Sequence, residues 1–122
     1  MKYMLLIYTS EAEDMRRASD AVSGAAIMAE YQSFTNALTA SGRLSAGEAL
    51  QPTTNAKTVR IRDGKADIND GPFAETKEQL GGFYLVDADN LDEAIAWASR
   101  IPGAKWGCVE VRPVIDFSNM PG

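Results

Sequence analysis

The chain has 122 residues, of which 45% are hydrophobic, and a formal charge of −5. A single domain of this length buries roughly two-thirds of its unfolded surface, and the apolar content excludes a disordered chain. The acidic balance, with no run of Lys or Arg, argues against nucleic acid and an anionic membrane surface as partners. The lone cysteine, Cys108, excludes an intrachain disulfide.

Residues 2–8 read as a first strand, with Tyr3, Leu5 and Ile7 on one side and Met4, Leu6 and Tyr8 on the other. A strand apolar on both sides is usually covered on both. The run is too short for a membrane span, which needs about 20 apolar residues. It also lacks the basic start and cleavage site of a signal peptide. Together with the lone Cys, this makes a bacterial-type cytoplasmic location the expectation.

Residues 9–24 are polar and acidic and are expected to include a loop. A helix follows, with Ile27, Tyr31, Phe34 and Leu38 on one stripe and Glu30, Gln32, Ser33 and Asn36 off it. Asp20 or Ser23 suits its start, and Gly42 suits a left-handed carboxy-terminal cap. Residues 44–50 read as a strand, and residues 51–55, with Pro52, as a loop. Residues 57–62 alternate, with Val59 and Ile61 opposite Thr58, Arg60 and Arg62. Asp63-Gly64 is a two-residue hairpin signal, and residues 65–69 return as its second strand. Another strand covers residues 82–86.

The second helix has the clearest limits. Asn90 caps it, Glu93 completes a capping-box pattern, and Asp92 and Glu93 suit the positive end of its dipole. Leu91, Ala94, Ile95, Ala98 and Ile101 form the expected apolar face, and Pro102-Gly103 ends it. Residues 107–114 are the last strand, with Val109 and Val111 opposite Cys108, Glu110 and Arg112. The expected domain spans residues 1–115, followed by an irregular tail, residues 116–122.

The order strand, helix, strand, hairpin, strand, helix, strand specifies an α+β fold, a ferredoxin-like split βαβ with an inserted hairpin. Two helices cover one sheet face. The other is apolar, so a homodimer packed face to face, a dimeric α+β barrel, is expected.

Special-purpose residues concentrate in Asp70-Gly71-Pro72-Phe73-Ala74-Glu75-Thr76-Lys77-Glu78, followed by Leu80-Gly81-Gly82-Phe83-Tyr84. A carboxylate beside a partly buried ammonium suits acid–base work, which makes Asp70, Glu75 and Lys77 the catalytic candidates. The competing reading is structural: Asp, Gly and Pro also shape turns, and the charges are then solvated. Gly71, Phe73, Gly82 and Tyr84 are ligand-binding candidates, with Arg60 as an anchor for an acidic ligand. Gly81-Gly82 could bring backbone close to a ligand, but a β-bulge or a tight strand entry is the favoured reading. Tyr8, Tyr84 and Trp106 suit a pocket wall or the core. Cys108 is expected to be buried and inert. Neither GxGxxG nor the Walker pattern occurs, so no cofactor is expected. The spacing of Asp67, Asn69 and Glu78 fails as a calcium loop, because Pro72 takes the glycine position. No metal site is expected.

These segments carry a resemblance. Met1-Lys2-Tyr3-Met4-Leu5-Leu6-Ile7-Tyr8, Thr58-Val59-Arg60-Ile61-Arg62-Asp63-Gly64-Lys65, the Asp70 motif, Leu91-Asp92-Glu93-Ala94 and Val109-Glu110-Val111-Arg112-Pro113 occur in order. The set resembles the YCII-related family, in its DGPF-domain branch, over about residues 1–115. The resemblance implies a dimeric α+β barrel and little about chemistry. It also implies an association with sigma factors of the extracytoplasmic-function type. A related YciI-like branch carries a His and Asp pair thought to mark an active site; this chain has no His, so that pair does not carry over. The leading expectation is a small organic ligand in a cleft between the sheet and the helices, beside the stretch from Asp70 to Tyr84, with lyase- or isomerase-like acid–base chemistry. The alternative is a non-catalytic regulatory module with a sigma factor as partner.

Overall fold

A computed structural model of the chain describes residues 1–119. The strands are β1 (Lys2–Thr9), β2 (Leu44–Ala49), β3 (Lys57–Arg62), β4 (Lys65–Asp70), β5 (Gln79–Asp87) and β6 (Cys108–Pro113). The helices are α1 (Glu11–Ser19), α2 (Ala21–Ala40) and α3 (Leu91–Ser99). Four strands form an antiparallel sheet in the order β2-β5-β1-β6, and β3 and β4 pair separately. That is the ferredoxin-like order with an inserted hairpin. None of the described helices is long and apolar enough to cross a membrane.

Alternation along β1 divides the sheet into two faces. Tyr3, Leu5 and Ile7 are buried, with Phe34 and Leu38 from α2, Ala94 and Ala98 from α3, and Val86 and Ile101. Fully burying a side chain such as Leu5 or Leu38 stabilises the fold by roughly 1.5–3 kcal/mol. The intervening Met4, Leu6 and Tyr8 lie on the opposite face and are half-exposed. Met4 pairs across to Leu85, and Leu6 to Phe83. A continuous apolar strip therefore crosses the side of the sheet that carries no helix.

Several expectations are corrected. Residues 9–24 hold a helix of their own, α1, because Ser10 accepts the Glu13 N–H at 3.3 Å and three carboxylates follow in the first turn. These are N-terminal signals within a polar stretch. Asp20 then caps α2 by accepting the Val22 N–H. On α3, Ala94 and Ala98 are buried, but Leu91 and Ile95 remain partly exposed; the short helix meets the sheet through a strip of alanines. Cys108 is exposed, because β6 is an edge strand and its position alternates away from the core. The tail begins with a short 3-10 turn, Phe117–Asn119; residues 120–122 lie outside the described residues.

The β3–β4 hairpin turns through Asp63 at φ 52° and Gly64 at φ 76°, the left-handed pair that a tight two-residue turn requires. Val59 and Ile68 pair across it, and both are exposed.

Candidate functional site

The site forms where β1 hands the chain to α1. Capping at Ser10 sets the phase of α1 so that Asp14 comes back over the end of the strand. The buried Thr9 hydroxyl donates to Asp14 Oδ2. Arg17, one turn on, donates to Asp14 Oδ1 at 3.4 Å. The Arg17 guanidinium also lies 4.8 Å from the centre of the Trp106 ring, a cation–π distance. Asp14 is therefore held from two sides.

Tyr31 of α2 supplies the second group. Its phenol oxygen accepts the Gly103 N–H at 3.2 Å. A Cβ at residue 103 would sit 2.8 Å from that oxygen and 3.2 Å from Ile7 Cγ2, so only glycine allows the approach. Burial pushes the Tyr31 phenol above its ordinary pKa; the Gly103 N–H opposes this, while nearby Tyr84, Asp14 and Glu30 add to the rise. The phenol keeps its proton at neutral pH. With a lone pair committed to Gly103, its O–H remains a donor. Beside it, the Tyr84 and Thr35 hydroxyls share a 2.8 Å hydrogen bond.

These residues surround a cavity of about 400 Å³, floored by Ile7, Gly82 and Tyr84 of the sheet and walled by Thr9, Asp14, Tyr31 and Thr35. Gly81 and Gly82 line it at an irregularity of the sheet. Ile7 pairs with Gly82 but Tyr8 pairs with Leu80, so Gly81 is the extra residue of a bulge. A Cβ at Gly82 would lie 2.9 Å from the Glu48 carbonyl oxygen, so β2 closes on β5 only over glycine. A second hollow of about 480 Å³ shares Thr9, Asp14 and Tyr31 and extends between α1 and α2 to Trp106. Both volumes fall in the roughly 300–1,000 Å³ range of small-molecule pockets.

Of the residues singled out in the sequence, Gly82 and Tyr84 line the first cavity. Gly71 has φ 89°, a left-handed turn that favours glycine; its N–H donates to the Ala56 carbonyl at 2.7 Å and closes the base of the hairpin. Asp70 ends β4 and forms an ion pair with Lys57, exposed to solvent. Arg60 stands on the hairpin opposite Asp67. Phe73 is 79% exposed, and Lys77 is exposed. Glu75 borders a separate hollow of about 350 Å³ with Thr53, Pro72 and Gln79. The structure does not bring Asp70, Glu75, Lys77, Arg60, Gly71 or Phe73 to either cavity. The physical reason is the turn at Gly71, beyond which residues 71–78 run along the surface before the chain re-enters the sheet at Gln79.

The Cys108 thiol lies 3.7 Å from Glu78 Oε1, as a donor. Local burial, then the Glu78 charge, pushes its pKa up, so it stays a thiol at neutral pH and is a poor nucleophile. Among the described residues, no group of three or more His, Cys, Asp or Glu is placed to hold a metal ion.

Thr9, Asp14, Tyr31 and Gly103 were not singled out as site residues from the sequence. Asp14 belongs to the polar, acidic stretch expected to include a loop, and Tyr31 is one member of the apolar stripe of α2. The available signals were Ser10 with Glu13 three residues on, a capping pattern that places Asp14 on a helix, and a phenol in an otherwise hydroxyl-free stripe.

The description "YCII-related domain" belongs to a family model that matches residues 1–118. Uncharacterized protein R00369 of Rhizobium meliloti (strain 1021) is 38% identical over 116 residues, covering 93% of this chain and 92% of that protein. Among solved structures, 5-chloro-2-hydroxyhydroquinone dehydrochlorinase (TftG) from Burkholderia phenoliruptrix AC1100, in complex with 2,5-dihydroxybenzoquinone, shares the fold. It aligns with a TM-score of 0.51 at 12% identity, over 97% of each chain. From its order of elements and the match along nearly its whole length, the chain belongs to the YCII-related domain family.

Proposed function

We propose that this protein binds a small, oxygen-bearing organic molecule in the cleft bounded by Asp14, Tyr31, Thr35 and Tyr84, and moves a proton on it. The observation that carries this reading is Tyr31. Its oxygen is occupied by the Gly103 N–H, and burial keeps its proton in place, so the phenol is set to donate to a ligand oxygen. Asp14, held by Thr9 and Arg17, is the neighbouring proton acceptor. A carboxylate that takes a proton from carbon next to a carbonyl sends the C–H electron pair toward the carbonyl oxygen. A hydrogen bond from Tyr31 to that oxygen stabilises the charge as it develops. This is the first step of lyase- and isomerase-type reactions. The dehydrochlorinase that shares this fold, solved in complex with 2,5-dihydroxybenzoquinone, is consistent with a small oxygenated ligand.

The expected outcomes separate binding from chemistry. Replacing Tyr31 by Phe weakens binding of a carbonyl ligand such as 2,5-dihydroxybenzoquinone about tenfold, the loss of one hydrogen bond in a desolvated site. Asp14→Asn keeps most of the affinity but lowers any turnover by about 10²-fold or more. Calorimetric titration and a solvent-deuterium exchange assay check both. Equal affinities for wild type and Tyr31→Phe would sink the reading.

A homodimer is part of the same proposal. The helix-free sheet face presents Met4, Leu6, Tyr8, Phe83 and Leu85 as one half-exposed strip. A second copy of that strip is its simplest cover.

A further inference from the structure

The second hollow has no role in the proton-transfer reading, and its chemistry differs from that of the first. The first cavity presents hydroxyls, from Tyr31, Thr35 and Tyr84. The second is walled by Ala18, Ala21, Ala25, Ile27, Met28 and the Trp106 ring. Its one cation, Arg17, is turned to Asp14 and stacked on Trp106, so the charge is already matched inside the protein. At its edge α1 and α2 approach closely over Gly24, where a Cβ would meet the Ala18 carbonyl oxygen at 3.3 Å. Thr9, Asp14 and Tyr31 line both cavities, so the two abut at the proposed proton-transfer groups.

Resting on the ligand reading above, we infer that the cleft has two subsites and takes an elongated ligand. An oxygenated head lies against Tyr31 and Tyr84. An uncharged apolar tail, alkyl or aryl, runs past Asp14 into the hollow between α1 and α2 and packs on Trp106. A tail ending in a carboxylate or phosphate is disfavoured, because the Arg17 guanidinium is committed to Asp14 and the remaining walls supply no cation. Selectivity by tail length is then set by Ala21 and Ala25, whose methyl groups leave room that larger side chains would fill.

Methyl ketones from butanone to nonanone test this, because they keep one head and lengthen only the tail. Affinity is measured by calorimetry and by Trp106 fluorescence in a Trp97→Phe background, which leaves Trp106 as the sole indole. The expected result is a gain of up to about fourfold per methylene while the hollow fills, with a matching change in Trp106 emission. Ala21→Leu flattens that slope, and a terminal carboxylate abolishes the gain. A flat series whose binding still depends on Tyr31 overturns the second subsite and leaves the head site standing. A slope that persists unchanged in Ala21→Leu also overturns it. If no ketone binds, the head site and the tail site fall together.

Discussion

Tyr31 shows how one residue joins the fold to the proposed chemistry. Its ring belongs to the stripe by which α2 packs, and its oxygen accepts a backbone N–H from the turn after α3. Removing the hydroxyl leaves the Gly103 N–H without its acceptor, at a cost of about 1 kcal/mol. The raised pKa of the phenol also has a sign that can be tested. Below the ordinary tyrosine value near 10, the folded and unfolded chains both keep this proton, and the full contribution is present. As the pH rises past that value the unfolded chain loses its proton first, so stability falls until the folded phenol titrates. Denaturant titrations across this alkaline window should show a steeper loss for wild type than for Tyr31→Phe. Identical slopes would mean that Tyr31 is not the group responsible. Asp14 illustrates the opposite kind of legibility: its identity is plain in the sequence, but its role depends on Thr9 and Arg17, brought to it by a strand end and a helix turn.

Elements with strong end signals were legible without tertiary information. Asn90 accepts the Glu93 N–H at 2.9 Å, and the Glu93 carboxylate returns to the Asp89 N–H at 2.8 Å, one position earlier than an ideal capping box would place it. Asn90→Ala should destabilise the protein by about 1 kcal/mol, read as a lowered denaturation midpoint with an unchanged slope. An effect below a few tenths would mean that the turn, rather than the side chain, holds the start of α3. The Asp63-Gly64 turn is equally local, because its dihedrals are set by those two residues. The apolar face of α3 was read too generously. Periodicity names every apolar residue on a stripe, but only contact with the sheet decides which are covered, and Leu91 and Ile95 are not. The short 3-10 turn Thr53–Asn55 that precedes β3 is tied down by α1: Glu11 accepts from the Thr53 N–H and hydroxyl, each at 2.8 Å, and its own N–H donates to Gln79. That clamp joins residues far apart in the chain, and no local pattern announces it.

At the scale of the molecule, the sheet is a two-sided object with one covered side. α2 and α3 cover Tyr3, Leu5 and Ile7, while Met4, Leu6 and Tyr8 face outward with Phe83 and Leu85. In the proposed homodimer this strip is the centre of the interface, flanked by the Glu110–Arg112 ion pair. Leu6→Glu would put an unpaired charge into that interface, where desolvation without a partner costs several kcal/mol. Sedimentation should therefore show a dimer for wild type and a shift to monomer for Leu6→Glu at the same concentration. A wild-type monomer at micromolar concentration would refute the assembly.

The sequence by itself determined the class of the fold. Strand alternation, the stripe of α2, the capping of α3 and the hairpin turn are short-range properties, each dictated by side chains within a few residues of one another. It also offered a bulge as one reading of Gly81-Gly82, and the shift of register between Ile7 and Tyr8 is that bulge, because a glycine pair tolerates the extra residue. Only the tertiary structure decided which residues line the cavity. The Asp70 motif is dense in functional residue types, but the turn at Gly71 carries its charges along the surface. Asp14 and Tyr31, on different helices, are joined through Thr9 of one strand and Gly103 of a turn. Their proximity arises from packing between segments distant in the chain, and nothing in local spacing encodes it.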